Sequence, residues 1–587
     1  MLDPRIYRTG FVAVVLAVVV VAFSLYNEQG SLGTTLAPEA FNGSNATATM
    51  AKLSAAFPQR RPGSVADAAI ADIVAKQVGT YGYVVSRDRF RAQTAEGTRR
   101  LDNVVGVRAG LSSGSIVVVS HRDSLRTGAQ AEISGTAVLL ELARVLAGET
   151  QHRTIVLVST SGDAGTAGAT ELARKLGKPA DAVIVLGDMA GSRIRQPIVV
   201  PWSNAEVLAP GMLRNTVGAA LAAQAQLSAG SISLGGEFAH LAFPMVGSAQ
   251  GAFGGHGEPA VLLSTSGEHT PAGDEPTSLG RVTSMGRALL QSITALDAGT
   301  TVPAPSAYLL YGGKVIPAWA IRLLVLALIL PVLGATIDGM ARARRRGHSI
   351  SRWIVWVLAC ALPFVLAALV VVGARATGLI GGAPPGPVAV GAFPLQSGGI
   401  AALAIAGCVI VLGLLWLRPF LARRAGIRRS ADLSSPGAAA GLLLVLCTVT
   451  IAIWFGNPFA AALLIPALHL WMWVVAPDVQ FRPGVLAVLV LAGLAAPVLV
   501  ALDYALTLGL GLVGTIWSWA LLLAGGGVGM LVAVEWSIVL GCALGVVLIA
   551  RRSTRQPRHE EVPVTMRGPI TYAGPGSLGG TESTLRR

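Results

Sequence analysis

Hydrophobic positions are spread unevenly along the chain. One apolar run covers 10–26, a long stretch of mixed polarity follows, and apolar runs crowd together after Val315. As a helix, a run of this length crosses most of a hydrocarbon core. The pattern predicts a transmembrane anchor at 1–27, a linker at 28–60, a soluble domain at 61–300, a membrane domain at 315–550 and a disordered basic tail at 551–587.

The first apolar run has a second interpretation. Ala22 and Ser24 offer a weak small-x-small site for signal-peptide cleavage. The apolar core is long for a signal peptide, which favours a retained anchor. Cleavage of the segment stays open.

The region after Val315 contains eight apolar peaks that approach the length of a spanning helix. They lie at 317–338, 353–373, 398–417, 437–455, 459–476, 484–502, 504–524 and 528–550. With the anchor they make nine crossings, which would leave the C-terminus outside, yet Arg551 and Arg552 favour inside. The glycine-rich peak at 504–524 is the best candidate for a segment that does not cross. Eight and nine spans stay open, with 7–8 helices in the membrane domain.

Arginine-rich loops indicate the orientation. Two loops of the membrane domain are predicted to be cytoplasmic by the positive-inside rule. Their arginines are Arg342, Arg344, Arg345, Arg346 and Arg352 in one, and Arg418, Arg423, Arg424, Arg428 and Arg429 in the other. The nearly uncharged loop 378–399 and the basic N-terminus place the soluble domain on the external face. We therefore expect a multi-pass protein of a plasma membrane.

Composition supports membrane insertion and excludes some partners. Hydrophobic residues make up 53% of the chain, charged residues 13%, and the mean hydropathy is +0.62. The net charge of +14 comes largely from arginines that flank membrane helices, so membrane lipid is the expected partner and nucleic acid is not. Protein partners stay unknown. The four cysteines all fall in apolar peaks, so the soluble domain has no disulfide, and the excess of arginine over lysine is typical of a GC-rich bacterial genome.

The soluble domain alternates short β-branched runs with amphipathic stretches, a pattern typical of a layered α/β fold. Strands are predicted at 103–108, 115–120, 154–160, 182–186 and 259–264. Helices are predicted at 65–78, 134–147, 167–176, 211–225 and 276–296.

Polar residues follow several of these strands. His121 and Asp123 follow the second, Asp163 the third, Asp188 the fourth and His269 the last. A lone histidine in such a position is more often a loop residue than a ligand. A histidine with an aspartate two residues on, repeated by carboxylates at other strand ends, indicates a metal site.

This order resembles peptidase family M28, zinc metallopeptidases of the aminopeptidase type. The family carries His-x-Asp, Gly-Ala-Asp-Asp-x-x-Ser-Gly, Gly-Glu-Glu, Asp-Met and His-Thr-x-x-Asp-Thr, and the resemblance covers most of 61–297. An N-terminal span, such a domain and a multi-span C-terminal block also resemble the vacuolar and endoplasmic-reticulum M28 membrane peptidases. The resemblance implies a three-layer α/β/α domain with a mostly parallel mixed sheet, beside an all-α polytopic domain.

The resemblance also implies a set of metal ligands. Family members bind two zincs through a bridging aspartate, with a glutamate as general base. By position, His121 and Asp188 are ligands of one metal, Asp123 orients His121, and His269 is a ligand of the other.

Two family positions have changed. The bridging aspartate falls on Gln130, and a neutral amide bridges two cations poorly. The paired glutamates fall on Gly162-Asp163-Ala164, where Asp163 is either the base or a ligand, depending on the register. Glu132 is a doubtful replacement carboxylate, since a Glu also suits a helix N-terminus. The site is degenerate and favours one zinc over two, or none.

Three functions stay open. The first is a pseudoenzyme whose external domain binds a peptide or a cell-envelope component. The second is an active one-metal hydrolase that uses His121, Asp188 and Asp163. The third is a transporter or scaffold whose function lies in the membrane domain, supported by His469, Asp503 and Glu535 in or near apolar peaks.

Overall fold

A computed structural model describes residues 4–34, 38–230, 233–381, 383, 386–387, 392–427, 433, 435–476 and 481–553. The strands are β1 (Tyr26–Asn27), β2 (Val84–Thr94), β3 (Gly97–Arg108), β4 (Ser115–His121), β5 (Thr154–Thr160), β6 (Ala182–Leu186), β7 (Val199–Val200), β8 (Ala260–Leu263), β9 (Tyr308–Tyr311) and β10 (Lys314–Pro317). The helices before the membrane domain are α1 (Pro4–Ser24), α2 (Gly43–Ala56), α3 (Val65–Thr80), α4 (Ser134–Ala147), α5 (Thr166–Lys175), α6 (Gly211–Ala225), α7 (Leu234–Ala242), α8 (Gln250–Gly255) and α9 (Leu279–Ala298).

The helices of the membrane domain follow without a further strand among the described residues. They are α10 (Ala318–Arg345), α11 (Ser351–Ala376), α12 (Ser397–Leu412), α13 (Arg418–Arg424), α14 (Pro436–Gly456), α15 (Pro458–Ala462), α16 (Ile465–Val475), α17 (Pro483–Gly493), α18 (Ala495–Thr507), α19 (Leu512–Gly525) and α20 (Met530–Ser553). A π-helical turn, Gly413–Leu417, joins α12 to α13.

The soluble domain is built on a seven-stranded mixed sheet in the order β2-β3-β5-β4-β6-β8-β7. Strands β5, β4, β6 and β8 are parallel neighbours, while β2, β3 and β7 pair antiparallel at the edges. Parallel strands need both faces covered, and their uninterrupted Val/Ile/Leu runs fit that requirement. The predicted three-layer α/β/α fold is confirmed.

The two faces of the sheet bury different partners. Ile116 and Val118 of β4 pack with the core under α2, α3, α4, α6 and α9. Val117 and Val119 point the other way, into a core that includes α5, α7 and α8 and continues into the membrane helices. Because side chains alternate along a strand, one strand joins both cores. The face of the soluble domain that carries α5, α7 and α8 therefore packs against the membrane domain.

The predicted elements differ from the structure mainly at the edges. The strands at 154–160 and 182–186 and the helices at 134–147 and 211–225 have the predicted bounds. The long strand β2 was not predicted, because its arginines break the apolar alternation. The segment 28–60, predicted as a linker, contains α2, which packs on α4 and α9 and buries Met50 and Leu53.

A small antiparallel sheet of β1, β10 and β9 ties the two ends of the soluble domain together. Tyr26, just after α1, pairs with Val315, just before α10. Helix α1 then packs along α10, where a Cβ on Gly10 would lie 2.5 Å from Pro331 Cα. The two chain segments that connect the soluble domain to α1 and α10 therefore lie side by side.

Seven described helical segments are long and apolar enough to cross a membrane, counting α12 to α13 and α15 to α16 as one segment each. The number is eight if α17 and α18, bent by 55°, form one span. The peaks at 484–502 and 504–524 have different boundaries in the structure, which contains this bent pair and the short helix α19. Helix α19, which overlaps the 504–524 peak, is too short by itself to span a membrane. Residues 554–587 of the predicted tail, and Arg428 and Arg429, lie outside the described residues.

Candidate active site

The parallel strands bring the predicted site residues to one edge of the sheet. His121 ends β4, while Asp163, Asp188 and His269 follow β5, β6 and β8. Since parallel strands share their carboxyl edge, residues far apart in sequence meet there. The structure thus places the predicted residues along this edge of the sheet, which we call the cleft.

The interior of the cleft contains a buried arginine that the sequence did not point to. Arg60 is fully buried, and its Nη2 donates to the carbonyl of Ala129. Backbone bonds hold this segment in place: Ser124 donates to the carbonyl of Arg60 at 2.9 Å, and Gly128 to that of Pro58 at 2.8 Å. The Arg60 guanidinium is thereby fixed inside the cleft.

This guanidinium interacts electrostatically with three predicted site residues: His121, Asp123 and Glu132. With Arg60 we call them the cleft cluster. In the described part of the chain, no hydrogen-bond partner reaches His121 Nε2, Asp123 Oδ1 or either carboxylate oxygen of Glu132. The Ser124 hydroxyl near Glu132 donates instead to the carbonyl of Arg126 at 2.8 Å. Asp123 Oδ2 accepts from the Ala164 backbone at 3.0 Å, and within the described residues Arg60 forms no ion pair with either acid.

Burial governs protonation in the cleft cluster. It raises the pKa of Asp123 to about 8, helped by Asp67 and Asp163, and that of Glu132 to about 7, against the pull of Arg60. Burial and Arg60 lower the pKa of His121 to about 4. At neutral pH the imidazole is uncharged, and the guanidinium is the dominant positive charge.

Asp188 and His269 do not join this cluster through ligand-like contacts. Asp188 Oδ1 accepts from the backbone of Ala190 and Gly191 at 2.9 and 2.7 Å, and its Oδ2 accepts from Ser266 Oγ at 2.7 Å. His269 is half-buried, and a Cβ on Gly509 would lie 3.9 Å from its Nε2. The carboxylate of Asp188 is therefore occupied in shaping its own turn, and His269 lies under the membrane domain.

Asp163 lies in a tight loop of four consecutive positive φ angles. Gly162 and Gly165 adopt 105° and 80°, and between them Asp163 and Ala164 adopt 53° and 59°, which non-glycine residues rarely do. Gly165 is required, because a Cβ there would lie 2.6 Å from His121 Cβ. Both carboxylate oxygens of Asp163 accept from the Ala95 backbone, at 3.0 and 3.2 Å.

The side chains present do not fit a two-zinc centre. Among the described residues, no three His, Cys, Asp or Glu side chains converge in a group that could hold a metal ion. Gln130 stands just before the turn Ala131–Ile133 without a capping side-chain bond, and Asp163 is bound to the β2–β3 hairpin. The buried Arg60 guanidinium interacts electrostatically with Glu132 and Asp123. The roles predicted for these residues stay predictions.

The membrane domain covers one side of the cleft through a second polar cluster. The indole of Trp202 stacks on His240, with centroids 4.1 Å apart, and His240 Nε2 lies 4.0 Å from Glu268 Oε2. Tyr504 of α18 donates to the carbonyl of Phe243, and its oxygen lies 3.1 Å from His240 Nδ1. We call Trp202, His240, Glu268 and Tyr504 the junction cluster. All four are buried.

The junction cluster has a defined proton arrangement. Because the Tyr504 hydrogen goes to a carbonyl, His240 Nδ1 carries the hydrogen that it shares with the Tyr504 oxygen. Its Nε2 then faces Glu268 without one. Burial lowers the pKa of His240 to about 3 and raises that of Glu268 to about 7. A neutral pair therefore suits this closed environment.

Sequence reasoning missed Arg60 and Tyr504 because neither lies in a pattern that signals chemistry. Arg60 is one of two adjacent arginines in a proline-flanked segment, and Tyr504 is one tyrosine in an apolar peak. His469 Nε2 donates to the Leu328 carbonyl at 3.0 Å, so its Nδ1 accepts from the Tyr7 hydroxyl at 2.8 Å, which gives His469 a packing role between helices.

Residues 103–232 match the sequence model of peptidase family M28. The soluble domain is M28-like. This match contains His121 and Asp188 and ends before His269, and the long apolar helices lie outside it. No curated protein matches the chain.

Solved structures with a similar backbone include a glutaminyl cyclase from an Acidobacteriales bacterium, at 20% identity over 46% of this chain and 99% of that one, with a TM-score of 0.37. A Zn-dependent exopeptidase from Parabacteroides distasonis matches at 16% identity over 43% and 98%, with a TM-score of 0.34. A leucine aminopeptidase precursor from Bacteroides thetaiotaomicron matches at 14% identity over 45% and 99%, with a TM-score of 0.36.

Proposed function

We propose that this multi-pass membrane protein uses its M28-like cleft to bind a peptide or cell-envelope component, and that it has lost two-zinc hydrolysis. The observation that carries the proposal is the burial of Arg60 among His121, Asp123 and Glu132. A fixed guanidinium places a positive charge beside these side chains, but unlike a metal ion it cannot supply a hydroxide nucleophile.

The position of the membrane domain supports a ligand that is presented at the membrane surface. Gly509, between α18 and α19, lies against His269, and Asn457 Nδ2 donates to the carbonyls of Leu241 and Ala242 at 2.8 and 3.2 Å. The membrane domain therefore packs against the soluble domain next to His269. A peptide or envelope component held close to the bilayer suits such a cleft.

Metal content and peptide hydrolysis test the loss of catalysis. The full chain, purified in detergent and dialysed against zinc, is expected to retain far less than one zinc per chain and to release no N-terminal residues from unmodified peptides. His121→Ala should behave like the natural chain in both measurements. Two zincs per chain with peptide release, both abolished by His121→Ala, would falsify this part of the proposal.

Binding requires a separate measurement. Fluorescein-labelled peptide mixtures, titrated with the full chain in nanodiscs, should give saturable anisotropy changes. Gln130→Trp, which adds bulk at the partly exposed residue before the turn Ala131–Ile133, should weaken them. Exposed Leu111→Trp is the control. If no peptide or soluble envelope fragment binds, or if both variants weaken binding equally, ligand binding in the cleft is wrong.

A second candidate function is one-metal hydrolysis. It is favoured by the unpartnered His121 Nε2 and the unpartnered carboxylate of Glu132, atoms of the type that bind one zinc. This candidate predicts one zinc per chain, lost in both His121→Ala and Glu132→Gln. It is discarded if neither substitution changes the zinc content.

The external orientation of the soluble domain is part of the proposal. It rests on the arginine-rich ends of α10 and α13. A cysteine at exposed Leu111 should react with a membrane-impermeant maleimide on intact cells, whereas one at exposed Arg345 should react only after lysis. The opposite labelling pattern would invert the orientation.

A further inference from the structure

The β2–β3 hairpin carries a groove that the cleft does not use. The groove has a volume of about 410 Å³ and lies between the hairpin and the start of α3. Its charged lining residues are Asp67, Arg89, Arg91, Arg100 and Asp102. This volume falls within the range of small-ligand sites.

Strand pairing brings the arginines onto one face of the hairpin. Arg91 is the cross-strand partner of Arg100, and Arg89 is the partner of Asp102. Directly opposed side chains have Cβ atoms about 5 Å apart, and like charges in this arrangement are destabilising. The pairing of Arg91 with Arg100 therefore favours an anion between them.

The two acids of the groove are already engaged elsewhere. Asp67 Oδ1 lies 2.8 Å from Arg122 Nε, and its Oδ2 accepts from Gly63 and from Ser161. Asp102 Oδ1 lies 2.7 Å from Arg122 Nη2, and its Oδ2 accepts from Arg87 Nε at 2.9 Å. Both carboxylates are thus already paired with arginines that do not line the groove.

The three groove arginines have no such compensation. Arg89, Arg91 and Arg100 are exposed, and within the described ranges none of them makes an ion pair or a side-chain hydrogen bond. Neighbouring Arg99 differs, because it points to the other face and lies 3.5 Å from Glu96. The groove therefore presents three uncompensated guanidiniums.

We propose that Arg89, Arg91 and Arg100 bind a phosphate-bearing anion. Guanidinium groups form paired, charge-assisted hydrogen bonds with phosphate oxygens, and three of them around one groove suit a group with at least two negative charges. The positive end of α3, which begins at Val65, adds to the attraction. The phosphate belongs either to a soluble molecule or to an anionic lipid headgroup.

The groove is connected to the cleft through the hairpin. Its tip residue Ala95 donates to Asp163, and Leu101 packs so closely on the same loop that a Cβ on Gly162 would lie 2.7 Å from Leu101 Cδ1. An anion that steadies the hairpin thereby steadies the loop beside His121. The anion site does not depend on the function proposed for the cleft.

Pyrophosphate binding tests the proposal. The full chain in detergent, titrated calorimetrically at constant ionic strength, should bind pyrophosphate saturably. Arg100→Gln should weaken binding at least about tenfold, since it removes one of two opposed guanidiniums. Arg99→Gln, which removes the same charge on the other face, should leave it unchanged. Equal losses in the two variants, or no saturable binding in the natural chain, would overturn the proposal.

Nanodiscs distinguish the two sources of phosphate. If the groove takes a soluble anion, pyrophosphate binds equally in phosphatidylcholine and phosphatidylglycerol nanodiscs. If it takes a lipid headgroup, phosphatidylglycerol competes and raises the apparent dissociation constant, and Arg100→Gln removes that competition. Competition that persists in Arg100→Gln would mean that the lipid acts elsewhere and would exclude the groove as a lipid site.

Discussion

The cleft cluster and the junction cluster both bury a histidine and a carboxyl group, but they neutralise them differently. In the cleft, Arg60 supplies a permanent cation from the same domain. At the junction, no arginine or lysine of the described chain forms an ion pair with Glu268, and closure comes from Tyr504 of the membrane domain. Burial raises the pKa of the carboxyl groups in both clusters, but only the cleft cluster also contains a buried cation, whereas the junction cluster is closed by packing.

Because of this difference, we expect the cleft cluster to affect the stability of the soluble domain and the junction cluster to affect its attachment to the membrane domain. A buried ion pair is costly to break on one side only, because the remaining charge stays desolvated. A neutral polar contact loses about one hydrogen bond when a partner is removed. We therefore expect substitutions near the cleft to destabilise the soluble domain. Substitutions at the junction should weaken its packing against the membrane domain.

Arg122→Ala should give the largest effect. Fully buried Arg122 pairs with Asp67 and Asp102, so its loss leaves Asp67 without a cation and Asp102 with Arg87 alone, and should cost about 3–5 kcal/mol. Unfolding in detergent, followed by tryptophan fluorescence, measures it. Partly exposed Arg87→Ala is the control and should cost less than about 1 kcal/mol. Equal losses would show that burial does not matter here.

Arg60→Met tests charge compensation inside the cleft. Alone it should destabilise by about 2 kcal/mol, because Glu132 and Asp123 lose their counter-charge, although both can take up a proton. Adding Glu132→Leu should restore most of the loss, measured as a double-mutant cycle in the same unfolding experiment. Strictly additive losses would show that Arg60 and Glu132 do not interact.

Tyr504→Phe tests the junction. It removes the bond to the Phe243 carbonyl and the contact with His240, and should cost about 1–2 kcal/mol. Limited proteolysis in nanodiscs should also release the soluble domain faster. Exposed Tyr311→Phe is the matched control and should change neither measurement. Unchanged proteolysis in Tyr504→Phe would contradict an attachment role.

Glu206→Gln should give the smallest effect, visible only as pH dependence. Burial raises the pKa of Glu206 to about 7 from its ordinary value near 4.5, although Arg322 and Asn457 lie nearby. Between these values the folded chain binds more protons than the unfolded one, so stability falls as pH rises through 7. After allowance for solvent screening, the contribution is about 1 kcal/mol.

The measurement compares unfolding midpoints at pH 5 and pH 8. Other buried carboxyl groups also favour low pH, so the informative quantity is the smaller pH dependence of Glu206→Gln relative to the natural chain. Identical pH dependence in the two proteins would show that Glu206 does not contribute to the pH dependence of stability.

The sequence predicted the centre of the sheet well and its periphery poorly. Strands β5 and β6 and helices α4 and α6 have continuous apolar patterns that are decided locally, so their bounds were predicted correctly. Strand β2 was missed because its exposed face carries Arg87, Arg89 and Arg91. Helix α2 was missed because its small polar residues, such as Ser44 and Thr47, are typical of a linker.

The candidate site shows the same limit. His121, Asp188 and His269 follow strands, so strand order alone predicted that they meet at one edge of the sheet. The hydrogen bonds that occupy Asp188 and Asp163 involve Ser266 and Ala95, which no local pattern connects to them. Their actual contacts were therefore outside the reach of sequence reasoning.

The sequence by itself determined an M28-like α/β domain joined to a domain of long apolar helices, because apolar periodicity and motif order are local properties of the chain. Only the tertiary structure decided that Arg60 enters the cleft, that Tyr504 closes its side and that three hairpin arginines face one groove. These are contacts between segments far apart in sequence, and their energies depend on burial, which the folded chain alone sets.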